Sequence, residues 1–340
     1  MGVAKTCLQT ISRICITSIS KISFKNALQR SIPKRTLKLM IQDISSDISG
    51  IRNEIDTLDT ELHALLKRRT ELVLKIADYK KSTGQKISVP AREAQLIRDI
   101  LGRHDGAMPV STLVQIWREL IGAFTFIQGE SLGQSMKAAV SPCAQPGQDR
   151  HLLMENARDY FGISFPLLEV QNDNAAVNLV REGKADFAVV PVPADEHGRT
   201  DKAALWWHLL KDSHLNKKED SLNILAKLPF LDSQDKEKND FPALVIGRFT
   251  FGESGHDNSY LYVSAQAQTS RGRIIDLAKN HDINVLSMTS CKADRENEIS
   301  SHLIEVEGYF SNESENIKNF AKSAGKGKME VIGVGGYPVL

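Results

Sequence analysis

Apolar residues between positions 51 and 79 recur at alternating steps of four and three. The seam they form consists of Ile51, Ile55, Leu58, Leu62, Leu65, Leu72, Ile76 and Tyr79, with Arg69 at the one step where leucine is expected. Sustained spacing of this kind is typical of a long helix that packs along one face against other helices. It predicts a helix from about Ser46 to Thr83, ending at Gly84, whose apolar face needs a partner.

Two further segments have helical spacing. A second helix is predicted to begin at Pro90, a residue favoured in the first turn, and to reach about His104. A third is predicted to begin near Pro109, because the residues after it recur at helical steps. These are Leu113, Ile116, Trp117, Leu120, Ile121 and Phe124. Residues 44–136 are therefore expected to form a three-helix, all-α domain.

The pattern changes after residue 137 to short apolar strands that alternate with helices. Strands are predicted over Met136–Val140, Leu167–Val170, Phe187–Val192, Leu222–Leu228 and Ala243–Ile246, and helices over Asp149–Phe161 and Ala175–Glu182. This alternation indicates an α/β domain over residues 137–250, with a solvated loop at Asp232–Asp240.

The last block, residues 255–340, has the order strand, helix, strand, strand, helix, strand. Its segments are Tyr260–Ala265, Gly272–Asn280, Asn284–Thr289, His302–Glu307, Glu313–Ser323 and Met329–Val334. That order is the one found in ferredoxin-like α+β domains.

Composition and charge exclude several classes of function. The net charge of +1 gives no basic field for nucleic acid, and the four cysteines and nine histidines lack metal-ligand spacing. No metal or cofactor is predicted, and no membrane span, because no apolar run approaches about 18 residues. The first forty residues are basic, with no acidic residue before Asp43. They fit either a transit peptide for an organelle or an extension upstream of a cytoplasmic start at Met40, and disorder is expected over residues 1–43.

Cations near the apolar seam point to a binding site. Arg69 replaces a seam leucine, and Lys80 lies eleven residues further, about three turns, on nearly the same face. Burying such cations is costly unless an anion meets them, which favours a small dicarboxylate substrate. Arg52 lies about 25 Å from Arg69 along the helix, at roughly 1.5 Å per residue. Its participation requires a second copy of the chain, which predicts an intertwined homodimer.

The residues from Ser49 to Gly129 resemble the all-helical chorismate mutase family. The resemblance is carried by Ile51–Asp59, Leu65–Arg69, Lys80, Pro90–Glu93, Ile116–Glu119 and Gln128-Gly129. It implies an isomerase that converts chorismate to prephenate without a cofactor. It also implies that Arg69 and the partner copy's Arg52 hold the substrate carboxylates, with support from Arg92. Lys80 and Gln128 are then expected to bind the ether oxygen, and Glu93 the ring hydroxyl. Two positions depart from the family, Val89 for an aspartate and Phe124 for a small polar residue.

Apart from the resemblance, these residue types suit a pericyclic rearrangement. Such a reaction needs no nucleophile, base or metal, only a substrate held in a compact conformer and donors aimed at the oxygen that gains charge. Lys80 can act there as a fixed cation and Gln128 as an amide donor.

The remainder of the chain resembles prephenate dehydratase followed by an ACT domain. The likeness rests on Gly183–Pro191 and on the final block, but the expected Thr-Arg-Phe reads Phe241-Pro242-Ala243. The expected effector motif likewise reads Thr289–Lys292. We therefore expect a degenerate dehydratase-like domain without activity. A bifunctional mutase and dehydratase, and a non-catalytic sensor of aromatic metabolites, remain as alternatives.

Overall fold

The computed structural model describes residues 34–84, 90–134, 136–142, 151–193, 205–215, 221–231, 241–291, 299–323, 325 and 329–340, with side chains from residue 47 onward. The chain divides into two compact units, residues 1–70 and residues 71–340. The described part of the first unit is helical, and the second unit combines helices with a sheet.

The described part of the chain begins with three helices, as predicted. They are α1 (Lys34–Thr83), α2 (Pro90–Leu101) and α3 (Val110–Ser131). Helix α1 begins twelve residues before the predicted start. Residues 34–43 are therefore helical, and the expectation of disorder was wrong for them. The physical reason is that no glycine or proline follows Pro33 until Gly50, so nothing stops the helix there.

The seam of α1 is exposed along its length. Its eight apolar members from Ile51 to Tyr79 keep between 49% and 61% of their surface accessible. Val73 and Ala77, one position further round the helix, are buried instead. Lys80 continues that buried row by the same helical spacing and is half-buried. The face that carries Lys80 therefore packs within the second unit, while the seam remains open.

Nine strands in the described residues form one sheet in the order β2-β1-β3-β5-β4-β9-β6-β8-β7. They are β1 (Ala138–Val140), β2 (Leu167–Glu169), β3 (Phe187–Pro191), β4 (Asn223–Leu228), β5 (Ala243–Gly247), β6 (Asp257–Gln266), β7 (Val285–Cys291), β8 (Ile299–Glu307) and β9 (Met329–Pro338). Strand β3 is buried on both faces: Ala188 and Val190 join one core cluster, and Phe187 and Val189 join another. Its continuous apolar run is typical of such a central strand.

Five more helices flank the sheet within the described residues. They are α4 (Leu152–Phe161), α5 (Asp173–Arg181), α6 (His208–Leu215), α7 (Arg271–Lys279) and α8 (Glu315–Ser323). Helix α6 was not expected, because its mixture of histidine, lysine and leucine has little helical periodicity. The signal that the sequence did offer is Trp206-Trp207, since both rings are buried directly before this helix.

The last four strands have the predicted ferredoxin-like order. Strand β6 lies between β9 and β8, with β7 at the edge, and all these pairings are antiparallel. The module is not separate, however, because β9 also pairs with β4 at Ile224 and Gly335. A Cβ on Gly335 would lie 2.2 Å from the carbonyl oxygen of Ile224, and its φ is +103°. Only glycine allows the two backbones to come this close, so Gly335 permits the pairing that joins the two halves of the sheet.

Helix α3 is long and apolar enough, by length and composition alone, to span a membrane, and it is the one such helix among the described residues. The run-length criterion applied to the sequence missed it. The helix packs against α4 and buries Val114, Arg118 and Ile121 within the protein.

Candidate active site

Two residues predicted to act together lie within hydrogen-bonding reach. Lys80 is in the last turn of α1 and Gln128 is near the end of α3, and the Lys80 Nζ atom donates to Gln128 Oε1 at 3.4 Å. Both side chains are half-buried. Because the amide oxygen accepts from Lys80, the amide nitrogen is the end of Gln128 that can donate to a ligand. The pair thus presents one cation and one amide donor from facing helices.

Glu93 belongs to the same neighbourhood. It occupies the first turn of α2, where the positive end of the helix dipole favours a carboxylate. Burial lowers the pKa of Lys80, and the negative charge of Glu93 raises it in part. A cation, an amide and a carboxylate are therefore gathered within the second unit. Arg92, the adjacent residue, is exposed, so its expected supporting role is not evident within this unit.

Arg118 is a charged residue of this region that sequence reasoning did not single out as functional. It is 3% exposed, and its Nη1 atom lies 3.2 Å from Glu93 Oε2. Its Nε and Nη2 atoms donate to the backbone carbonyl of Tyr160 at 3.0 and 2.7 Å, and its guanidinium stacks 3.8 Å over the Tyr160 ring. The available signal was an arginine in step with Val114 and Ile121 on the buried face of α3. A cation on an apolar face was the signal that identified Arg69.

A small cavity borders this ion pair. Its volume is about 20 Å³, and its lining includes Glu93, Arg118, Thr125, Tyr160 and Phe187. That space suits roughly one water molecule, so the cavity is not a substrate pocket.

The two arginines predicted to bind carboxylates lie on α1 in the first unit. Arg52 is exposed, and Arg69 is half-buried. Burial lowers the pKa of Arg69, as expected for a cation withdrawn from water. Of the two departures from the family, Phe124 is buried within α3, and Val89 lies outside the described residues. The second unit therefore unites Lys80, Glu93 and Gln128.

Comparison with known families identifies this helical segment. Residues 51–129 match the family "Chorismate mutase type II", which is 79 of the 340 residues and contains every predicted site residue. The helical segment is thus similar to this family, and an α/β region follows it.

One curated relative is the "Bifunctional chorismate mutase/prephenate dehydratase" of Aquifex aeolicus (strain VF5). It is 29% identical over 150 residues, which cover 43% of this chain and 39% of the relative. The chain thus matches about two fifths of that relative's length.

Solved structures with weaker similarity each match about 60% of the chain. A prephenate dehydratase from Streptococcus mutans matches 60% of this chain and 99% of its own, with 14% identity and a TM-score of 0.38. The structure titled "GqqA- a novel type of quorum quenching acylases" matches 60% and 95%, with 17% identity and a TM-score of 0.41. Similarity at this level establishes neither a shared fold nor a shared activity.

Proposed function

We propose that this protein is a chorismate mutase that isomerises chorismate to prephenate. The observation that supports this most strongly is the contact between Lys80 and Gln128, beside Glu93, inside the segment that matches the family. Three side chains from three helices converge there, although nothing in the local sequence requires them to meet.

The chemistry needs only these groups. In the Claisen-type rearrangement the ether C–O bond breaks while a new C–C bond forms, and the ether oxygen gains negative charge in the transition state. A fixed ammonium and an amide N–H aimed at that oxygen stabilise the transition state more than the ground state. Glu93 accepts a hydrogen bond from the ring hydroxyl, which orients the substrate. No cofactor is required.

The substrate carboxylates are assigned to Arg69 and to Arg52 from a second copy, with Arg92 supporting the cluster. Arg52 is exposed on α1, and the seam beside it leaves eight large apolar side chains about half accessible. Apolar surface of that length favours association, and heptad spacing favours a second helix of the same kind. An intertwined homodimer covers the seam and brings Arg52 to the partner's site.

The C-terminal region is proposed to be a degenerate dehydratase-like domain over residues 137–250 and an ACT-like domain over residues 255–340. The strand order β9-β6-β8-β7 supports the second assignment. Calorimetry with each aromatic amino acid tests an effector role, and no heat on addition of any of them would remove it. We place the protein in the cytoplasm, as befits a biosynthetic enzyme, unless residues 1–39 direct it to an organelle.

A second candidate is a bifunctional mutase and dehydratase, favoured by the description of the Aquifex aeolicus relative. We expect the dehydratase activity to be absent, because Phe241-Pro242-Ala243 stands where the Thr-Arg pair is expected. Two assays on purified protein test both activities. Loss of chorismate with gain of prephenate supports the mutase, and formation of phenylpyruvate from prephenate would establish the dehydratase.

A further inference from the structure

The ion pair between Arg118 and Glu93 connects the candidate site to the α/β layer. Arg118 projects from α3, and its guanidinium lies between the carboxylate of Glu93 on α2 and the backbone carbonyl of Tyr160 on α4. All of these residues belong to the second compact unit. The side chain of Arg118 is therefore held from both sides, by a site residue and by the backbone of a helix that flanks the sheet.

Because the Arg118 guanidinium is buried, it needs these hydrogen-bonding partners. A guanidinium that is 3% exposed loses its hydration, and only a paired carboxylate and well-aligned acceptors compensate for that loss. The Tyr160 ring beneath it is a neutral phenol, since burial raises the pKa of Tyr160 to about 12. Its face adds a cation–π contact, and the Phe230 ring lies 5.0 Å away on the same guanidinium.

The hydrogen bonds of Arg118 couple the position of the Glu93 carboxylate to the position of α4. Two N–H groups of one planar guanidinium share the Tyr160 carbonyl, which fixes the plane of the fork. The remaining nitrogen, Nη1, then has one direction in which to point, and Glu93 Oε2 lies there. A shift of α4 against α3 would move the Glu93 carboxylate with it.

We propose that Arg118 is a positioning residue for the mutase reaction, which fixes the Glu93 carboxylate against an anchor supplied by the α/β layer at Tyr160. This inference rests on the proposed function. It gives the degenerate C-terminal region a role in the mutase site that does not depend on dehydratase activity or effector binding.

A double-mutant cycle in the full chain tests this role. The variants are Arg118→Lys, Glu93→Gln and the combination of both, with kcat and KM for chorismate and the thermal unfolding midpoint measured for each. Lysine keeps the buried charge, so the protein should fold, but its single ammonium cannot hold both the carbonyl and the carboxylate in a fixed plane. We expect Arg118→Lys to lower kcat/KM by roughly ten- to a hundredfold through misplacement of Glu93. In the double variant the two losses should not multiply, because Arg118 acts through Glu93.

Arg98→Lys serves as a structural comparator. Arg98 lies on the same helix as Glu93, and its guanidinium is anchored elsewhere, on the backbone carbonyls of Ser254, His256 and Val339. Its substitution should lower the unfolding midpoint, and any effect on kcat/KM should multiply with that of Glu93→Gln.

Two results would overturn the positioning role while leaving the mutase intact. One is wild-type kcat/KM in Arg118→Lys, and the other is a double variant whose loss equals the product of the single losses. An absence of chorismate turnover in the wild-type protein would overturn the proposed function itself, and the role of Arg118 with it.

Discussion

Lys80 Nζ and Gln128 Oε1 lie 3.4 Å apart although 48 positions separate the two residues along the chain. The contact joins the last turn of α1 to the end of α3, so the donor pair depends on how the helices pack. Burial lowers the pKa of Lys80, and the charge of Glu93 raises it in part. The proposed reaction needs the protonated form of Lys80, and the stability of that form depends on both effects.

The pH profile should reveal this balance. Lys80 must be protonated to stabilise the ether oxygen, so kcat/KM should fall on the alkaline side, through a pKa below the 10.5 of an ordinary lysine. Glu93→Gln removes a charge that raises this pKa, so the alkaline limb of the kcat/KM profile, where activity falls, should move to lower pH. Asp99→Asn, an exposed position on α2, should leave the limb in place. A limb that stays fixed or moves upward in Glu93→Gln would contradict the assignment.

Mixed dimers test whether Arg52 acts in the partner's site. Arg52→Ala and Lys80→Ala proteins should each be nearly inactive. After unfolding and refolding together in equal amounts, turnover should recover to about a quarter of wild type, because half of the dimers are mixed and each mixed dimer has one intact site. Refolding of each variant alone is the control. If the mixture stays inactive, Arg52 does not serve the partner's site.

The seam itself predicts the oligomeric state. Leu58 and Leu65 are 60% and 61% exposed on α1, and a second helix should cover them. Replacing both with glutamate should convert the dimer to monomers in light scattering, since charges at seam positions oppose packing. Glutamate at His63 and Lys67, exposed positions outside the seam, should leave the dimer unchanged. A monomeric wild-type protein would refute the intertwined arrangement.

The junction between β4 and the ferredoxin-like strands contains a partly buried ion pair. Lys227 Nζ lies 2.8 Å from Glu305 Oε1, and Tyr337 and Ser287 also donate to Glu305. Burial raises the pKa of Glu305, but these hydrogen bonds outweigh it and the pKa is lowered below 4.5. A lowered carboxyl pKa contributes stability above the unfolded pKa, and that stability is lost as the pH falls through the folded pKa.

Lys227→Met should therefore destabilise the protein in a pH-dependent way. At neutral pH the free energy of unfolding should fall by about 1–3 kcal/mol, because a buried carboxylate loses its partner. The deficit should shrink as the pH falls below 4.5. Urea unfolding at several pH values measures it. Lys318→Met, which removes an exposed pair with Glu313, is the matched control and should change little. A deficit that grows at acid pH would contradict the account.

Close packing of α3 on α4 depends on Gly122. A Cβ at this position would lie 1.8 Å from the carbonyl oxygen of Phe161, so the helices cannot keep their spacing in Gly122→Ala. We expect a loss of about 3 kcal/mol in the free energy of unfolding, at the upper end for overpacking. Gly272→Ala, where the added methyl group meets open space, should instead be neutral or stabilising. Equal unfolding midpoints for the two variants would show that α3 and α4 do not pack this closely.

The sequence predicted the elements of this fold better than their connections. Heptad spacing revealed α1 and its apolar seam, and short apolar runs revealed most strands, because both patterns are local. The junction of β4 with β9 left no such pattern, since it depends on a glycine that permits backbone contact between distant segments. Lys80 and Gln128 were found by residue type and resemblance. Arg118 was not, although it lies in step with Val114 and Ile121 on the buried face of α3. Its anchor leaves no mark in the sequence, because the anchor is the backbone carbonyl of Tyr160, 42 positions away.

The central claim is most directly tested by chorismate turnover in wild type, Lys80→Ala and Lys81→Ala. Lys81 is the exposed neighbour of Lys80 on the same helix, so its removal changes the net charge equally without touching the candidate site. Loss of chorismate absorbance gives the rate. We expect turnover in the wild type, little change in Lys81→Ala, and a loss of roughly a hundredfold or more in Lys80→Ala, as for removal of one oxyanion donor. Equal rates in the two variants, or no turnover in the wild type, would contradict the central claim.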